Sequence, residues 1–323
     1  MPALPNSART AAYRPALAWF AAFGALWVFL LVTLGAFTTT IGAGMAFPDW
    51  PLSNGSINPP GWLTNLAMFA EHSHRLTAIG MGIISIILAI WLWRTEARWW
   101  LRKLGYFTVA LVVVQGVVGG LRVLCDRLHI PTVDTSVGRL FAMLHACLAQ
   151  AFACTIIAVA VACSRSWIER PHPVNPRVRR IGIVCCVLFF VQLAIAAIMR
   201  HSFAGLAIPT FPRSTPSGGW LPTSWDFHVA IHFAHRVMAL VLGVAVLWLA
   251  VRTWFDRGAS LALRCGASVL VSLLTFQILL GANIIWTQRA VAITTGHVLV
   301  GAATLATAFW MTWVAHRDVI ETP

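Results

Sequence analysis

The sequence predicts an all-α integral membrane protein, with eight transmembrane helices arranged as two tandem, pseudo-symmetric four-helix bundles. Three observations carry this reading. Only 10% of residues are charged against 59% hydrophobic, with a mean hydropathy of +0.79, whereas about a quarter of a soluble domain is charged. Eight runs reach the roughly 20 apolar residues needed to cross a bilayer. The chain also repeats itself: Glu71-His72-Ser73-His74-Arg75 returns as His232-Phe233-Ala234-His235-Arg236, and the offsets from 71 to 232 and from 74 to 235 are both 161.

The elements follow in order. The first run, 16–39, comes after a short mixed segment, too short for a transit peptide, and it is too long for the core of a signal peptide. The second run, 64–93, carries the first His-Arg motif. The third, 104–122, is short, bounded by Arg102 and Lys103 before it. The fourth, 138–163, carries His145. The fifth, 180–200, is again short and starts after Arg177 and Arg179. The sixth, 226–255, carries the second His-Arg motif; the seventh is 262–286; the eighth, 289–315, carries His297.

Smaller pieces recur in register. Ala43-Gly44-Met45-Ala46-Phe47-Pro48-Asp49-Trp50-Pro51 returns as Ala204-Gly205-Leu206-Ala207-Ile208-Pro209-Thr210-Phe211-Pro212, offset 161; Gln115 with Gly119 returns as Gln277 with Gly281, offset 162; His145 returns as His297, offset 152. The predicted halves are therefore 1–163 and 164–323. Four crossings return a chain to its starting side, so the halves share one orientation about an axis along the membrane normal.

A net charge of +13 would suit nucleic acid, but the basic residues mark topology instead. Arg9, Arg14, Arg94, Arg98, Arg102, Lys103, Arg165, Arg170, Arg177, Arg179, Arg180, Arg252, Arg257, Arg264 and Arg317 fall on one side, against Arg122, Arg127, Arg139, Arg200, Arg213 and Arg289 on the other. The positive-inside rule then puts both termini in the cytoplasm, and tryptophans near both sets of helix ends read as an aromatic belt. The expected location is a bacterial inner membrane. Of the seven cysteines only Cys125 lies in an outward loop, so no outward disulfide pair is expected.

Ionisable groups inside a membrane are costly and are functional sites by default. His74, His145, His235 and His297 sit at similar depths on the helices that run inward. Imidazole pairs from facing helices, without thiolates or a second carboxylate, fit haem best. Two sites follow, His74 with His145 and His235 with His297. Arg75 and Arg236 are candidates for haem propionates or for backbone carbonyls, and Arg139 and Arg289 are weaker propionate candidates. His232 lies near the second site, while His72 and His228 read as hydrated. The two copies share their His-Arg pair and differ at the three positions before it; the difference that exchanges a carboxylate for an imidazole is Glu71 against His232, so chemistry is assigned to the first half and electron carriage to the second.

With these residues in place the chain resembles the heme A synthase family from about residue 16 to 315, through Glu71-x-x-His74-Arg75, Leu144-His145-Ala146, His232-x-x-His235-Arg236, His297 and the loop Gly42–Gly55. The resemblance implies oxidation of a heme O methyl group to a formyl group by successive hydroxylations. It implies a heme b on His235 and His297, with Arg236 and His232 beside it, the substrate porphyrin on His74 and His145, and Glu71 in catalysis. Many members carry a cysteine pair in the first outer loop; the matching positions here hold Phe47 and Ser53. Expected partners are heme O, handed over by a heme O synthase, an electron acceptor such as a quinone, and the lipid bilayer, with no nucleic acid; a homo-oligomer is left open. The alternatives are a di-haem electron-transfer cytochrome and a non-enzymatic haem carrier.

Overall fold

The computed structural model describes residues 11–131, 135–171 and 173–321; Arg9 and the extreme ends of both predicted halves lie outside them. Eight helices are long and apolar enough to cross a membrane. They are α1 (Pro15–Thr40), α2 (Leu66–Thr95), α3 (Trp99–Leu124), α4 (Val137–Ala162), α6 (Pro176–His201), α7 (Phe227–Trp254), α8 (Leu261–Trp286) and α9 (Val291–Ala315). Two short helices, α5 (Arg165–Glu169) and α10 (Arg317–Glu321), were not expected from the sequence. Nor was the two-stranded ribbon β1 (His129–Ile130) with β2 (Thr135–Ser136).

The third and fifth runs are not short. Both α3 and α6 have 26 residues, because the backbone ladder continues through Arg102, Lys103 and Arg177–Arg180. Hydropathy fades where charges begin, but main-chain hydrogen bonding does not, and long basic side chains can reach past the apolar zone. Side-chain caps fix several starts: Asn65 accepts from Ala67 and Met68, Ser136 from Arg139, Asn175 from Arg177, and Asp226 from Val229.

Helices α1 to α4 pack in a ring, each on the next and α4 back on α1, and α6 to α9 pack in a ring with the same order. The rings meet through α1 on α9 and through α4 on both α6 and α9. In α4 and α9, 44% of the apolar window is buried, against 28–33% in the other six, which follows from their place between the rings. One apolar cluster centres on Met81, Leu88 and Ile156 of the first ring, the other on Val246, Leu270 and Ala308 of the second.

One end of the molecule is closed by a polar and aromatic knot. Arg98 bonds Glu96 and Glu321, both at 2.9 Å, and donates to the Ala162 carbonyl. Trp167 donates to Glu321 and stacks on Trp313, with Trp100 against both. Trp100 and Trp313 therefore serve as packing here and do more than mark an interface. At the opposite end two loops, 41–65 and 202–226, lie over the rings, and each contains a cis X-Pro bond, Trp50-Pro51 and Phe211-Pro212.

Candidate functional site

The helices that begin at the loop end carry the four histidines. His74, His145 and His235 each lie eight residues after the first residue of their helix, and His297 lies six after. At 1.5 Å per residue these are depths of about 12 Å and about 9 Å, so the four share a layer. His74 and His145 face one another with ring centroids 6.4 Å apart and planes at 77°. His235 and His297 lie within electrostatic reach of each other.

Each ring is supported from the preceding helix. His145 Nδ1 lies 3.1 Å from the Gln115 carbonyl oxygen, and Gln115 Nε2 donates to the His145 carbonyl at 2.9 Å. His297 Nδ1 lies 3.1 Å from the Gln277 carbonyl, and the Gln277 side-chain nitrogen lies 3.3 Å from its Nε2. His235 is met by the Gln192 side chain, 3.1 Å from Nδ1. His74 lies toward the Leu31 carbonyl, but its buried Nδ1 makes no hydrogen bond of good geometry.

Glycines make three of these approaches close. A Cβ on Gly35, Gly119 or Gly281 would stand 2.9, 2.8 or 3.3 Å from Cε1 of His74, His145 or His297. Each glycine is one turn after the residue whose carbonyl faces the ring. In the sequence Gly119 and Gly281 stood out only as the repeat companions of Gln115 and Gln277, and Gly35 did not stand out; the signal was their four-residue spacing from Gln115, Gln277 and Leu31.

These donors fit a metal held between paired imidazoles. A carbonyl at Nδ1 fixes the tautomer and leaves Nε2 as the ligand atom. Two nitrogens in line on one metal, at the about 2.0–2.1 Å of metal–imidazole bonds, put ring centroids roughly 6 Å apart, close to the spacing of His74 and His145. Among the described residues no three His, Cys, Asp or Glu side chains converge, so the imidazoles come in twos.

The rest of each motif holds its loop. Glu71, 4% exposed, accepts the Phe47 amide at 3.1 Å on Oε2 and pairs through Oε1 with Arg75 at 2.6 Å. Arg75 also donates to the carbonyls of Asp49 and Leu52. In the other ring His232, also 4% exposed, accepts the Ile208 amide at 3.2 Å, and Arg236 donates to the carbonyls of Ile208 and Thr210. Phe47 and Ile208 are the matched residues at offset 161. Glu71 and His232 thus hold the same loop amide by different chemistry, and the arginines take the backbone-carbonyl option. Arg236 keeps Nε buried without a partner.

His72 departs from expectation. It is 3% exposed, bonds Ser53 Oγ at 3.1 Å and packs edge-on to Trp62. The loop folds down over the first turns of α2 and removes His72 from water, whereas His228 is exposed as expected. Phe47, fully buried, and Ser53 occupy the positions matched to the cysteine pair. An apolar plug and the Ser53–His72 bond fasten the loop there, and every described cysteine is free. Of the two arginines at the loop-end helix starts, Arg139 covers the Phe203 ring at 5.1 Å and Arg289 is exposed.

The chain is similar to known proteins over most of its length. The family model COX15-CtaA, cytochrome oxidase assembly protein, matches residues 18–309. A heme A synthase of Alkalihalophilus pseudofirmus is 27% identical over 303 residues, covering 90% of this chain and 94% of that protein. One from Rhizorhabdus wittichii is 26% identical over 350 residues, covering 94% and 96%. One from Geobacillus kaustophilus is 25% identical over 283 residues, covering 87% and 86%. With eight spanning helices, imidazoles in pairs and a match across nearly its whole length, this chain belongs to the COX15-CtaA family of cytochrome oxidase assembly proteins.

Proposed function

We propose that the chain is a heme A synthase, an oxidoreductase of the bacterial cytoplasmic membrane that converts a methyl group of heme O to a formyl group. The two rings of helices are its duplicated halves, 1–163 and 164–323, with both termini cytoplasmic and the histidine layer toward the outer leaflet. The first half takes heme O on His74 and His145; the second keeps a heme b on His235 and His297, flanked by Arg236 and His232. Heme b, when bound, supplies one-electron transfer. Two successive two-electron oxidations of the methyl carbon, each adding a hydroxyl oxygen from water and releasing two electrons and two protons, give a geminal diol, which loses water to the aldehyde; the electrons and protons leave to an external acceptor such as a quinone.

The observation that carries this reading is the His74–His145 pair, 6.4 Å between centroids, in the half where a buried carboxylate replaces a histidine. Glu71 is the residue assigned to catalysis, and its carboxylate also fastens the loop over the site, through the Phe47 amide and the ion pair with Arg75. His232 accepts its loop amide as a neutral ring and has no matching arginine pair.

Co-expression with a heme O synthase in a host lacking heme A tests the proposal, with mass analysis of extracted haems. Wild type should yield heme A, and Glu71→Ala should leave heme O or a hydroxylated intermediate. A folded, haem-loaded wild type that yields only hemes B and O sinks the synthase reading in favour of a di-haem electron-transfer cytochrome. His235→Ala or His297→Ala should abolish the heme b spectrum, while His74→Ala should keep it and lose turnover.

A further inference from the structure

The four histidines are held unequally. His145, His235 and His297 each meet a glutamine of the preceding helix: Gln115, Gln192 and Gln277. His74 meets none. The α1 residue 161 positions before Gln192, the same offset that separates His74 from His235, is Leu31. The leucine side chain offers no polar atom, and although the Leu31 carbonyl faces the ring, His74 Nδ1 is the one among the four ligand candidates that is buried without a hydrogen bond of good geometry. Gln192 by contrast has Nε2 3.1 Å from His235 Nδ1 and 3.1 Å from the His235 carbonyl, and its Oε1 is buried without a partner. A half-turn of that amide would bring Oε1 to the ring to accept the Nδ1 proton that an Nε2-ligating imidazole carries, in exchange for the present bond to the His235 carbonyl.

The partner at the second nitrogen matters because it orients the ring and raises its basicity; losing one typically costs about 10–100-fold in metal affinity. We propose that position 31/192 sets how long each half keeps its porphyrin. Gln192 holds His235 as a fixed ligand for a resident haem, and Leu31 leaves His74 loosely held, so that a porphyrin can enter and leave the first half. Gln192 and Leu31 act through the histidines and are positioning residues. The inference rests on the assignment of the first half to substrate.

The test is haem loss from the purified full-length protein to an excess of a haem-scavenging apoprotein. Loss is followed by porphyrin mass and by the low-spin bis-imidazole spectrum. Gln192→Leu should speed heme B loss by about 10–100-fold and disturb that spectrum. Leu31→Gln should slow loss from the first half by a comparable factor, measured with heme O there and, separately, with heme B there in a His235→Ala background. Slower loss is not a consequence of misfolding, so Leu31→Gln is decisive. Unchanged loss from the first half in Leu31→Gln overturns the proposal. If wild type still makes heme A, that result leaves the synthase reading standing. If wild type never makes heme A, the His235→Ala comparison still decides whether position 31 governs residence.

Discussion

Gly119→Ala adds one methyl group and should empty the first histidine pair. The new Cβ would stand 2.8 Å from His145 Cε1 and 3.2 Å from Nδ1, whereas carbon contacts settle near 3.5–4.0 Å. The ring must therefore retreat by about 0.7–1.2 Å. Metal sites tolerate deviations of only about ±0.2 Å, and the retreat also stretches the 3.1 Å contact to the Gln115 carbonyl. Gly116→Ala is the control: it lies on the same helix with nothing within 4 Å of its Cβ, and it should add about 0.5–1 kcal/mol of helix stability. Gly281→Ala is intermediate, since 3.3 Å to His297 Cε1 asks only a few tenths of an ångström. Haem content per half, read by extraction and low-spin absorbance, should rank Gly116→Ala at or above wild type, then Gly281→Ala, then Gly119→Ala. Equal loading of the first half in Gly119→Ala and Gly116→Ala would refute the idea that these glycines seat the imidazoles.

Three further outcomes are expected. Burial pushes the Asp49 carboxyl up, but the amides of Gly55 and Asn54 and the charge of Arg75 outweigh it and hold it below the usual carboxylate range. A lowered folded pKa means its contribution is complete above the unfolded value of about 3.9 and is lost as pH falls through the lower folded value. Protease resistance of the 41–65 loop should therefore persist from neutral pH down to about 4 and fail only below. Arg75→Ala removes the donors to Asp49 and Leu52 and the partner of Glu71, so the same loop should become protease-sensitive at neutral pH. Arg98→Ala leaves buried Glu96 unpaired at the other end of the molecule; it should cost about 3 kcal/mol, seen as a lower thermal midpoint in detergent, with the haem spectrum unchanged.

Glu71 and His232 teach most about reading the chain. As letters they were the mismatch that sets a carboxylate against an imidazole between two copies of a motif, which suggested different chemistry. In the fold they share a task, accepting the amides of Phe47 and Ile208, and the difference is a charge paired to Arg75 in one half only. The loops were legible as repeats but not as lids, because an accepting carbonyl has no side-chain signature. That also explains why Arg75 and Arg236 could not be assigned from the sequence: their partners are backbone oxygens.

Hydropathy, the offset of 161 and the four histidines determined the eight spans and the layer where imidazoles meet, because bilayer thickness and helical rise convert sequence position directly into depth. The tertiary structure alone decided the ring of contacts in each group of helices and the burial of His72. It alone decided the knot of Trp100, Trp167, Trp313, Arg98 and Glu321, and the seating of the histidines on Gly35, Gly119 and Gly281. Those are contacts between distant segments, and which backbone atom or bare glycine Cα faces a side chain is set by helix rotation and packing, quantities that no single segment encodes.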